Sequence, residues 1–282
     1  MSIVRMDPGQ LLEKSGSPHP GNGCGAAGEH GARMNNRELL QAQLNAFYKT
    51  ALAEARPLFD EGQLARLSAP LLVSISDAYL DSPVRIMFVG KETNGWWGKL
   101  RTYYATEDAA DKLLACYRRQ MAGQRWSGRF FQMVGRTARE LAGAQVPAIA
   151  WTNLMRTDLE QGKGFSRNSK AFSEALTQVS RKMLRYEFDL LKPDVVIFAC
   201  GPGYDSEIKA VFGDRTESEA IVPRALWHFK VGHTLCFRAQ HPQAIHRKGS
   251  ALKPVGFYYA EIFARVKASF PHVYEKAGET GA

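Results

Sequence analysis

The sequence has no closely spaced cysteines. Its four, Cys24, Cys116, Cys200 and Cys236, never form a Cys-x-x-Cys pair. A zinc site or a local iron–sulfur motif is therefore not expected, and the chain is predicted to use no metal and no cofactor. In a reducing compartment four scattered cysteines are most simply free thiols. No apolar run is long enough to span a bilayer, and Met1 to Gln10 lacks the apolar segment of a secretory signal. A cytoplasmic, monomeric protein with no membrane partner is expected. There is no Gly-x-Ser-x-Gly elbow and no phosphate-binding Gly-Lys-Thr motif, so esterase and P-loop chemistries find no support. No internal repeat is visible.

What remains is a chain of 282 residues, 45% apolar, enough for one α/β domain with a tail. The formal charge of +9 and the isoelectric point near 9.4 favour a polyanionic partner. Residues 1–33 are rich in Gly, Ser and Pro and are expected to be disordered, because they bury too little to offset the entropy of ordering. A single domain is expected over 34–270, and 271–282 read as a frayed tail. Within the domain, helical stripes alternate with apolar, β-rich runs. The clearest stripe is Phe172, Leu176, Val179, Met183, Tyr186 and Leu190, on a helix predicted over 170–191. Residues 160–169 read as a polar loop. Strand-like runs at 226–231 and 234–237, joined by Gly232-His233, predict a hairpin. The alternation predicts a three-layer helix–sheet–helix sandwich on a mainly parallel, four-stranded central sheet.

Four predicted strands each end in a loop with distinctive polar chemistry. The first, Ile86 to Val89, breaks at Gly90 into Lys91-Glu92-Thr93-Asn94-Gly95-Trp96-Trp97. The second ends at Asn153, the third at Gly201-Pro202-Gly203, and the last precedes His241-Pro242-Gln243. In a parallel sheet all these ends share one edge, where ligands bind. Trp96 has a plainer reading beside the functional one, as a ring packed on the core.

The order and context of these segments resemble the uracil-DNA glycosylase superfamily, over roughly residues 80–268. Val89-Gly90-Lys91-Glu92 resembles the first motif, with Glu92 at the position of an Asp or Asn. Asn153 stands where an Asn reads the pyrimidine edge. His241-Pro242-Gln243-Ala244-Ile245-His246-Arg247 resembles the late motif that supplies an electrophilic His and a loop that wedges into DNA. The sequence departs from that pattern at three points. Glu92 is longer than Asp, Thr93-Asn94 stands in place of a Pro-containing turn, and Gln243 replaces a Ser. These positions line the base pocket in the family, which implies a uracil-related or modified pyrimidine as substrate, in repair or in anti-phage defence.

The resemblance implies cleavage of an N-glycosidic bond after the nucleotide leaves the stack. Glu92 would stabilise charge on the sugar and orient a water, helped by Asn94, and His241 would donate to the base carbonyl. Asn153 would read the base over a floor at Gly90. Trp96 or Trp97 would stack on it, with Tyr104 and Phe130 in reserve. Gln243, His246, Arg247, Lys248 and Ser250 would contact DNA. Two rivals stand beside this expectation: a non-catalytic nucleic-acid binding module of the same fold, and a hydrolase of free nucleosides or nucleotides.

Overall fold

A computed structural model describes residues 35–93, 95–123, 128–143, 146–161, 165–167, 174–245 and 251–275. The predicted tail 1–33 lies outside the described residues, as do Asn94, His246, Arg247, Lys248 and Ser250. The domain opens with α1 (Asn36–Ala55), which Pro57 ends in a single 3-10 turn. Asp60 then starts α2 (Glu61–Arg66) with a capping box: its side chain accepts from Gln63 N (2.7 Å), and the Gln63 side chain accepts from Asp60 N (3.0 Å). After α3 (Asp77–Leu80) comes β1 (Ile86–Gly90), buried at every position, as an apolar run in a parallel sheet should be. Helices α4 (Leu100–Ala105), α5 (Ala109–Ala122) and α6 (Arg129–Leu141) lead to β2 (Ile149–Asn153).

Next come β3 (Leu159–Gln161) and β4 (Phe165–Arg167), then α7 (Glu174–Leu191) and β5 (Val195–Ala199). The chain continues through α8 (Asp205–Val211), β6 (Thr216–Val222), β7 (Leu226–Val231) and β8 (Thr234–Ala239). It closes with α9 (Val255–Ser269) and α10 (Pro271–Tyr274).

The main sheet has six strands in the order β2-β1-β5-β8-β7-β6. The first four are parallel to one another and are the four predicted strands. The hairpin β7–β8 pairs antiparallel, as its turn sequence predicts, and β6 pairs antiparallel to β7. The expectation of a four-stranded, mainly parallel sheet is therefore corrected to a six-stranded mixed one. β6 carries Thr216-Glu217-Ser218-Glu219 and is exposed over most of its length, so it has no apolar run to betray it. The polar segment read as a loop contains a second correction, the two-stranded antiparallel pair β3–β4. A third lies at the carboxyl end, where 271–275 are not frayed: Tyr274 Oη donates to Leu141 O at 2.6 Å.

Side-chain alternation along the sheet assigns the layers. On one face Phe88 meets Phe130 of α6 (5.4 Å between ring centroids) and Tyr259 of α9 (6.3 Å). On the other, Phe198 meets Phe212, which packs on Phe188 of α7. Strand β2 is an edge, and a tyrosine covers it. Tyr117 Oη accepts from Trp151 N and donates to Trp151 O, both at 2.9 Å. Among the described residues, no helix is long and apolar enough to cross a membrane.

Candidate functional site

The chain runs from β1 to its neighbour β2, then crosses back over β1 to β5. The strand order thus reverses between β1 and β5, and the crevice of an open α/β sheet lies outside the carboxyl ends at that point. The loops leaving β1 and β5 flank this crevice, and the loop leaving β8 stands next to them. Gly201 ties the last two together: its N–H donates to Ala239 O at 2.9 Å, and its φ of 74° is the left-handed geometry that favours glycine.

Gly90 and Asn153 are register partners at the ends of β1 and β2. Both point to the α6 face. A Cβ on Gly90 would come within 2.3 Å of Asn153 Oδ1 and 2.9 Å of Phe130 Cζ, so only glycine leaves room there. Asn153 is 1% exposed. Its Oδ1 accepts from Trp151 Nε1 at 3.3 Å, which fixes the amide's orientation, since a flipped amide would oppose two donors. Its Nδ2 is buried and finds no acceptor among the described residues. A buried donor without an acceptor costs about 1–3 kcal/mol, and this one is free to meet an acceptor.

His241 stacks on Phe130, ring centroids 5.6 Å apart and 20° from parallel. Burial, and next the ammonium of Lys91, lower the imidazole pKa from 6.5 to about 3, so the ring is neutral. Its Nδ1 accepts from Gln243 N at 3.2 Å, which leaves the single ring proton on Nε2. A turn closed by Ala244 N donating to His241 O (2.7 Å) carries Ile245 outward, where it is 86% exposed. Gln243 lies over Gly128, its Nε2 4.0 Å from where a Cβ would stand.

The loop after β1 is held by its neighbours. Leu154 N and Met155 N donate to the carbonyls of Gly90 and Lys91 (3.0 and 2.8 Å). Buried Asp158 accepts from Thr93 Oγ1 and from Gly95 N (2.5 and 2.8 Å). Below it, Arg156 donates to both carboxylate oxygens of Glu187, whose Oε2 also accepts from Thr152 Oγ1 (2.9 Å). This buried pair fixes the chain leaving β2. Glu92 is half-buried between these anchors, and its charge, after burial, helps to raise the Tyr204 phenol well above its usual range.

The ends of β1, β2 and β8 thus place Gly90, Asn153 and His241 around the Phe130 ring, and Glu92 follows in the β1 loop within electrostatic reach of Tyr204. Trp96 is 6% exposed and packs edge-on against Trp151 (5.4 Å), in agreement with its plainer reading. Trp97 is 37% exposed, lies under the Arg119 guanidinium (4.9 Å) and meets Trp96 edge-on (6.1 Å). Tyr104 donates to Leu52 O at 2.7 Å and sits elsewhere. Phe130 stands against Gly90 and stacks on His241. Lys91 is the residue that motif reading passed over, although its place between Gly90 and Glu92 put it in the same loop.

No protein-family model matches the chain, and no curated protein is similar enough to count as a relative.

Proposed function

We propose that the chain is a DNA glycosylase that hydrolyses the N-glycosidic bond of an extruded uracil-related or modified pyrimidine and leaves an abasic site. The observation that carries this reading is the pair of oriented donors over the Gly90 floor: neutral His241 with its proton on Nε2, and Asn153 with an unspent Nδ2. Both suit the carbonyl edge of a pyrimidine rather than an amino edge. As the bond to the sugar carbon breaks, its electron pair leaves with the base. His241 then hydrogen-bonds to the oxygen on which negative charge grows. Cationic Lys91, close enough to act on the imidazole, favours the same anion. Glu92 faces the electron-poor sugar and takes a proton from the attacking water, whose oxygen bonds to the sugar carbon. Phe130 offers an apolar surface beside the base, and exposed Ile245 suits a wedge that fills the space a flipped base leaves in the stack.

The test is abasic-site formation on oligonucleotides bearing deaminated or modified pyrimidines. Glu92→Gln should lower the rate by about 10²–10⁴-fold without weakening DNA binding. His241→Ala should lower it by about 10²–10³-fold. Binding with no base release from any such strand would favour the non-catalytic module instead.

A further inference from the structure

A second feature adjoins the crevice on the other flank of α6. A cavity of about 740 Å³ opens between α6, the 242–245 turn and the start of α9. Arg129, Gln132, Arg136 and Arg139 face it from α6, at the i, i+3, i+7 and i+10 spacing of one helical stripe. Among the described residues none of these arginines forms a salt bridge with a carboxylate, although Arg136 and Arg139 act electrostatically on Glu140. The acid on this helix, Glu140, is hydrogen-bonded to Lys267 at 2.8 Å. Arg136 is braced, its guanidinium 5.3 Å from the Phe263 ring centroid. No side chain caps the amino end of α9, so the positive end of that helix faces the same space.

We propose that this trough seats backbone phosphates of the DNA strand as it continues past the extruded nucleotide. The inference rests on the glycosylase reading for the identity of the polyanion. Its shape supports that choice. Arg129 and Arg139 are ten residues apart, ~15 Å along the helix axis. A DNA strand presents a phosphate about every 3.4 Å of axis, so the stripe spans roughly four phosphates and exceeds a single anion. Guanidinium forks match phosphate oxygens in pairs. The trough also shares Ile245 with the turn beside the crevice, so a strand leaving the hollow would pass that side chain into the arginine stripe.

The test is binding of the full chain to a fluorescent DNA duplex over a salt series. Arg129→Gln with Arg139→Gln should weaken binding and reduce the slope of log affinity against log salt by about one per arginine. Gln132→Glu, which places a carboxylate in the trough, should weaken binding independently. Lys182→Gln, whose partner Glu54 lies on α1, removes one positive charge elsewhere and should reduce the slope by less than either arginine substitution made singly. If the wild type binds and excises while the trough variants match it in affinity and slope, the trough assignment falls and the glycosylase reading stands. If the wild type binds no DNA, both fall.

Discussion

At the scale of single residues, the site depends on protons that are fixed before any substrate arrives. The proposed reaction needs His241 as a neutral donor, and its surroundings hold the ring neutral. The same surroundings carry a stability signature. The folded imidazole titrates at about 3 and the unfolded one near 6.5. Between those values the unfolded chain binds a proton that the folded chain refuses, so stability falls as pH drops from 6.5 toward 3. Above 6.5 His241 contributes no pH dependence. Replacing it with glutamine should flatten the profile of unfolding free energy against pH in that acidic window, by up to about 4 kcal/mol at its lower end. Parallel profiles for wild type and variant would show that the ring is not held neutral. Sequence alone suggested His241 as a donor but not its tautomer, because the Gln243 N–H that sets it depends on the turn. The choice of aromatic was likewise hidden. Trp96 and Trp97 are adjacent to Glu92 in sequence, yet Phe130 reaches the hollow because α6 crosses the face onto which Gly90 and Asn153 point.

At the scale of elements, what could be read in advance was what buries most. β1 and β5 are apolar runs buried at every position, β2 is buried throughout, and α7 shows the stripe from Leu176 to Leu190, its first member Phe172 lying outside the described residues, so composition alone locates them. β6 and the β3–β4 pair bury little and owe their pairing to neighbours distant in sequence. The loop after β1 belongs to this second kind. Its shape is imposed by Asp158, which lies 65 residues beyond Thr93 in the chain. Asp158→Asn replaces an acceptor with a donor opposite the Thr93 hydroxyl or the Gly95 N–H. It should cost about 1.5–3 kcal/mol in denaturant unfolding. It should also open the 92–98 segment to limited proteolysis and slow base release. Unchanged unfolding and cleavage would mean that the loop holds its shape without the clamp.

At the scale of the molecule, parallel strands bring the segments at 90–92, 153 and 241 to one edge, and chain reversal between β1 and β5 opens a crevice among them. Three arginines of α6 line a trough beside that crevice. The strand-end reading was accessible from sequence because a parallel sheet aligns its carboxyl ends whatever the helices do. The arginine stripe was accessible in principle, from helical spacing, but its relation to the 242–245 turn required the packing of α6 against α9.

The most direct measurement is mass spectrometry of the small molecules released when the full chain is incubated with a panel of natural, deaminated and phage DNAs. A free uracil-related or modified pyrimidine base should appear, with an equal amount of abasic sites in the DNA and neither in the presence of Glu92→Gln. Intact DNA across the whole panel, or release of a nucleoside or nucleotide instead of a base, would contradict the account.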